Sequence, residues 1–343
     1  MKAMNLSGIL RRPAGALIVL ALLLAAVAAV PPAKAVAAVE AAKGVEAAKA
    51  VAAEPKNLQV MSWNMCDVPR WGCTDTGTSA QKAGVVKMHV DNTWVHAVLL
   101  QEVCENTLAT LMTELGPGWG KAFHPYRWSQ NGVKHDSPCV EGKPERAGTA
   151  IIVKGGIQDA RTYPTTQPWT GLQAPFHCAT APYWDNIRLC NVHASWLGIN
   201  PDHPTWDYRD DQFAEIKAVV DQFPRTVFGG DFNAKSPDAP NNAHAWVWPQ
   251  GLYSTGPGTE GYQECDQTGT SRTGRPSHGS GVKIDYIFSS ETRRWCAVAD
   301  SVYSDHHVMI ESAPSLGKPA VATTVTVGRV DLTHAGGSVQ QAV

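Results

Sequence analysis

A chain of 343 residues is long enough for one large domain or two small ones. At 43% hydrophobic and 17% charged it has the core residues of a globular fold, which excludes disorder or many membrane spans over the whole length. The formal charge of −2 carries no overall electrostatic footprint for nucleic acid, although a local basic rim would not show in that sum.

The chain opens on a basic start of Lys2, Arg11 and Arg12. An apolar run follows from Ala14 to Val30, and Ala33-Lys34-Ala35 has the small-x-small pattern of a cleavage site. Residues 1–35 are therefore expected to be a signal peptide, and the protein to be secreted. An uncleaved anchor is the competing reading. The run falls slightly short of the about 20 residues of a span and stops at Pro31-Pro32. Cleavage would remove four basic residues, leaving 25 against all 31 acidic ones, and no stable membrane span. Residues 36–56, almost all Ala, Val, Glu and Lys, read as a semi-rigid linker with too little bulk to bury.

A compact domain is expected over 57–312. Leu58–Trp63 alternates like a strand, and Trp94–Leu100 is a continuous apolar strand ending at Gln101-Glu102. Asn106–Leu115 has helical spacing, with Leu108, Leu111, Met112 and Leu115 on one face. Strands are expected at Thr149–Val153 and at Asn186–Val192, which leads to His193. Asp210–Phe223 is an amphipathic helix. Thr226–Phe228 is a strand stopped by Gly229-Gly230, and Ile284–Phe288 and Val308–Ile310 are the last strands. Irregular alternation with few helices predicts two mixed sheets packed face to face with helices outside. Long loops rich in Trp, Pro and Gly are expected between Tyr163 and Trp184 and between Pro237 and Gly281. Residues 313–343 read as a tail, with one short strand at Val321–Val327.

Eight cysteines, all between Cys66 and Cys296, suit an exported chain; eight allow about 105 pairings. Proximity suggests Cys66–Cys73, Cys104–Cys139, Cys178–Cys190 and Cys265–Cys296. Zinc is the competing reading, but no C-x-x-C occurs.

Polar islands beside the strands carry the chemistry. Glu102 stands at the mouth of a buried strand, where a carboxylate is either solvated, paired with Arg, or a ligand for Mg²⁺. In Gly229-Gly230-Asp231-Phe232-Asn233, Asp231 and Asn233 can point to one side, although an Asx-turn uses the same residues. Asp285 interrupts an apolar strand and needs a cationic partner, for which His306 is the obvious candidate. Each island alone reads more readily as a turn or a capped strand end than as a site.

Their order is more specific. Ser62-Trp63-Asn64, Gln101-Glu102, His193, Gly230-Asp231-Phe232-Asn233, Ile284-Asp285-Tyr286 and Ser304-Asp305-His306, in that sequence, resemble the endonuclease/exonuclease/phosphatase superfamily. That fold includes deoxyribonuclease I and the neutral sphingomyelinases. The resemblance covers about Leu58 to Ile310 and implies a four-layer α/β sandwich with its site at one edge of the two sheets. It implies a metal held by Asn64 and Glu102, Mg²⁺ or alternatively Mn²⁺ or Ca²⁺, with Asp305 helping either the metal or His306. It implies that Asp231 and Asn233 orient water and phosphate, and that His193 serves the phosphate or the leaving oxygen. His306, steadied by Asp285, would contact the phosphate or act as general base. The carboxylate that often supports the mid-chain histidine is harder to place; Glu145 is a candidate, and Arg146 is a candidate phosphate contact.

The expected function is a secreted, metal-dependent phosphodiesterase or endonuclease acting on nucleic acid. A phospholipid substrate is the alternative, with Trp169, Trp184, Trp206, Trp246 and Trp248 as lipid contacts, core residues or base-stacking groups. A catalytically silent binding domain of the same fold is the third reading. No protein partner is predicted.

Overall fold

The computed structural model describes residues 56–315, apart from 74–75, 131, 197–206 and 257–259. The expected signal peptide, nearly all of the linker, Trp206 and the strand expected at Val321–Val327 lie outside the described residues.

Alternating side chains build two six-stranded sheets. The first joins β1 (Lys56–Asn64), β2 (Ala97–Cys104), β3 (Trp119–Pro125), β6 (Ala147–Lys154), β14 (Trp295–Ala299) and β15 (Val308–Ser315), in the order β14-β15-β1-β2-β6-β3. The second joins β7 (Gln158–Tyr163), β9 (Phe176–Ala181), β10 (Ile187–His193), β11 (Thr226–Asp231), β12 (Gln263–Glu264) and β13 (Asp285–Ser289), in the order β12-β13-β11-β10-β9-β7. A small third sheet, β5-β4-β8, contains β4 (Arg127–Gln130), β5 (Val133–Asp136) and β8 (Gly171–Gln173). Each large sheet is mixed: β1 runs parallel to β2 in one, and β10 parallel to β11 in the other.

Period-two alternation assigns each strand residue to a layer. Leu58 and Val60 of β1 meet Leu189, Val227 and Ile287 between the sheets. Met61 and Trp63 face outward onto Ala83 and Val86 of α1 (Ser79–Thr93) and Leu108 and Leu111 of α2 (Glu105–Leu115). On the far side Phe213, Ile216 and Val220 of α3 (Tyr208–Val220) cover Cys190, Phe228 and Phe288. The result is the four-layer α/β sandwich. Being buried on both faces explains why β2 is continuously apolar from Ala97 to Leu100.

α2 and α3 lie where apolar spacing predicts, and Asp207 caps α3 by accepting from the Arg209 N–H. Such a cap contributes about 1 kcal/mol. Helix α1 is absent from the sequence reading. Thr78 and Gln81 form its capping box, but its buried face mixes Lys82 and His89 with Ala83 and Val86, so no apolar stripe marks it. Trp94 closes α1 in the left-handed conformation with its ring exposed, so β2 begins at Ala97 rather than at Trp94. The 163–184 stretch expected to be loop contains β8 and β9. Strand β15 continues past the expected boundary at Ser312, pairing Ala313 with Leu58 and Ser315 with Lys56.

All four expected disulfides form, which leaves no free cysteine for zinc. Cys178 and Cys190 are directly opposed on β9 and β10.

Gly229 and Gly230 do not stop β11 or make a turn; the strand runs through them to Asp231. A Cβ at Gly229 would lie 2.6 Å from the Tyr286 carbonyl oxygen. One at Gly230, where φ is +145°, would overlap the Val192 carbonyl oxygen. The glycines thus admit the backbones of β13 and β10 to either side of the site strand. Gly230→Ala should lower stability by about 3 kcal/mol, read as a shift in the urea midpoint; an unchanged midpoint would show that β10 yields freely.

Candidate active site

Strand direction brings the polar islands together. The parallel pairs β1–β2 and β10–β11 both run toward one edge, where Asn64 sits opposite Gln101 and His193 opposite Asp231. The antiparallel neighbours start there, so Asp285 begins β13 and His306 precedes β15. Ends of parallel strands are a common location for ligand sites.

Glu102 is aimed by a local defect. The pairing of β2 with β6 shifts between Leu100 and Val103, and Glu102 takes a φ of +50°. The Tyr126 hydroxyl accepts its N–H at 2.9 Å. Asn64 then donates from Nδ2 to Glu102 Oε1 and to Asp231 Oδ2, both at 3.1 Å. The Cys66 N–H occupies Asn64 Oδ1 at 3.0 Å. The expected metal ligand Asn64 therefore turns its amide nitrogen, not its oxygen, toward the carboxylates.

His193 Nδ1 lies 2.6 Å from the Tyr126 hydroxyl. Burial holds the phenol neutral, pushing its pKa well up, and burial also lowers that of His193. Because the phenol oxygen already accepts the Glu102 N–H, its proton goes to Nδ1. His193 is then the Nε2–H tautomer, with that proton 3.7 Å from Asp231 Oδ2 and 3.9 Å from Glu102 Oε1, measured from the nitrogen. Glu145 does not support His193; it accepts the Asn106 N–H at the start of α2. Arg146 is bound to Glu105 rather than free for phosphate.

The Asp285–His306 pair forms as expected, with Nδ1 2.9 Å from Oδ2. Ser277 Oγ donates to the same oxygen at 2.8 Å. His306 Nε2 is 3.7 Å from Asp231 Oδ2. Burial opposes charge on this ring, but the combined attraction of Asp285, Asp231 and Asp305 overrides it and pushes the pKa up to about 10. Asn233 also has a positive φ, and its N–H donates to Asp231 Oδ1 at 2.8 Å.

Asp305 is held by His278, an unforeseen residue, with Nε2 3.3 Å from Oδ2. The Ser280 N–H donates to His278 Nδ1 at 3.1 Å, which leaves the proton on Nε2, facing Asp305. Lys82 is also unforeseen: its buried ammonium donates to the carbonyls of Met65, Cys66 and Tyr303, and burial lowers its pKa to about 8. His278 falls in the loop expected between Pro237 and Gly281, and Tyr126 lies in none of the elements expected from the sequence, so no local pattern marks either.

Glu102, His193, Asp231, Asn233, Asp305 and His306 all line one cavity of about 890 Å³. A model of the Endonuclease/Exonuclease/phosphatase family matches residues 61–306. The chain belongs to the endonuclease/exonuclease/phosphatase family. Members of this family are phosphoesterases. The family protein from Beutenbergia cavernae DSM 12333 is 16% identical with a TM-score of 0.54, over 76% of this chain and 72% of that one. The family protein from Bacteroides vulgatus is 14% identical with a TM-score of 0.49, over 75% and 98%. The human Nocturnin catalytic domain, with bound sulfate, is 15% identical with a TM-score of 0.48, over 76% and 96%. The first of these likenesses is one of fold. No match is found among curated proteins.

Enzymes of the family typically use divalent metals, and the donor set here fits one. Among the described residues Glu102 Oε2 faces only Cys73 Sγ, at 3.5 Å, and that sulfur has no proton to donate because it is in a disulfide. Burial raises the Glu102 pKa to about 7 by stripping water from its charged form, a cost that a bound cation would offset. The other carboxylates at the site, Asp231 with Asp285 in one group and Asp305 with His278 in another, gather around His306, with the facing atoms of each group within 4.8 Å of one another.

Two outcomes are expected. Tyr126→Phe frees His193 to exchange tautomers and should lower turnover about 10–100-fold, by analogy with other partners that orient histidines; ¹⁵N shifts of the ring report the tautomer directly. The raised His306 pKa stabilises the metal-free fold fully below about 6.5, the unfolded value, and that contribution is lost as pH rises through about 10. Melting temperature should therefore fall more steeply from pH 7 to 10 in the wild type than in His306→Gln; parallel slopes would refute the coupling.

Proposed function

We propose that the protein is a secreted, divalent-metal-dependent phosphodiesterase that hydrolyses nucleic acid by direct attack of water. The observation that carries this reading is the meeting of Glu102, Asp231, His193 and His306 on one cavity, with proton positions defined on both imidazoles.

Glu102 and Asp305 would hold the ion, Mg²⁺ or alternatively Mn²⁺ or Ca²⁺, with Asn64 fixing Glu102. Bound there, the ion offsets negative charge gathering on the phosphate oxygens. Asp231, fixed by Asn64 and the Asn233 N–H, orients the water and takes its proton. His306 carries a proton on each nitrogen and donates from Nε2 to a phosphate oxygen, which favours the phosphate-contact role over the general-base role. Neutral His193 donates a hydrogen bond from Nε2 to the leaving oxygen and stabilises the charge that gathers there as the P–O bond breaks, and solvent supplies the proton. No covalent intermediate is required.

Secretion rests on the signal-like start and on four disulfides, which persist in oxidising compartments. No described helix is long and apolar enough to cross a membrane.

Purified protein should cleave plasmid DNA or RNA with Mg²⁺ and stop on adding chelator. Cleavage of sphingomyelin or phosphoinositide with nucleic acid left intact would move the substrate to lipid, and inertness in every metal would favour a binding domain. Glu102→Ala and His306→Ala should each cut turnover by about 10²–10⁴-fold with the fold retained; wild-type rates in both would refute these roles.

A further inference from the structure

The small sheet beside the cavity reverses the usual polarity of a strand. In β4, Ser129 is fully buried, with its hydroxyl on the Trp169 carbonyl, while the preceding Trp128 is 40% exposed. Successive residues face opposite ways, so the sheet turns its serine to the protein and its indole outward. Burial alone would select the opposite order. Trp128 is directly opposed to Leu172 of β8, and both line the cavity that holds Glu102, His193 and His306. Trp71 lines it too, with its ring centroid 5.4 Å from that of Tyr126, the residue that fixes His193. Trp71, Trp128 and Leu172 thus line the same cavity as Glu102, His193 and His306.

We propose that Trp128, with Leu172 opposite it, is a stacking platform for an unpaired base, and that the substrate is single-stranded nucleic acid. This rests on the phosphodiesterase reading above. In a duplex both faces of each base are already stacked, so an indole on a cavity wall reaches a base face only when the strand is unpaired. The rest of the rim suits a nucleotide. Exposed Thr170 and Asn241 offer hydroxyl and amide groups for base edges, and Lys235 offers a charge for a flanking phosphate. An acyl chain would need apolar lining along its length, which these residues interrupt.

The test compares wild type, Trp128→Ala and Trp128→Phe on four substrates with Mg²⁺: a single-stranded decamer, its duplex, a decamer of abasic residues, and sphingomyelin vesicles. The wild type should prefer the single strand to the duplex, and to the abasic decamer by about tenfold. Trp128→Ala should erase the preference for bases by raising KM, and Trp128→Phe should restore most of it. Equal hydrolysis of base-bearing and abasic decamers by the wild type would overturn the platform while leaving the phosphodiesterase reading intact. A duplex cleaved as well as the single strand, or a Trp128 dependence seen only on vesicles, would also overturn it. Failure to hydrolyse either decamer or bis(p-nitrophenyl) phosphate would overturn the phosphodiesterase reading itself.

Discussion

The amide of Asn64 stands between two carboxylates that belong to different sheets. Glu102 comes from the first sheet and Asp231 from the second, and each takes one proton of the same Nδ2. Two nearby acids with little solvent repel each other and lose hydration, so they converge only where donors are already in place. The amide cannot turn to offer its oxygen without losing the Cys66 N–H. The end of β1 is thereby held beside the ends of β2 and β11, and the edge of the sandwich closes on the site.

Charge balance around that pair accounts for the histidines. His306, charged by Asp285 and its neighbours, supplies a cation next to Asp231. His193 stays neutral because burial disfavours its charge and Tyr126 gives it a hydrogen bond rather than a counter-ion. Two imidazoles on either side of one carboxylate therefore differ in charge, and that difference separates their chemistry. The positive φ values of Glu102 and Asn233 are strained positions that the close-packed layers beneath hold in place.

Much of this is legible in the sequence. The alternation in β1, the continuous apolar run of β2 and the spacing of α3 mark buried faces, which burial itself selects. Helix α1 was not legible, because Lys82 and His89 occupy its inner face for reasons of hydrogen bonding and packing, which leave no period. Gly229-Gly230 misled for a related reason. Glycine marks a need for space or for positive φ, and only the neighbouring strands reveal that space was needed here.

The sequence by itself determined which residues could carry charge, metal and protons, and the order in which the chain presents them. Residue type and order are both written in the chain, so Glu102, His193, Asp231, Asp285 and His306 could be named from the two together. Tertiary structure alone decided proton positions and partners. Tyr126 rather than Glu145 holds His193, Asn64 donates rather than accepts, and His278 takes Asp305. Each of these depends on distances between strands far apart in the chain, which no local pattern records.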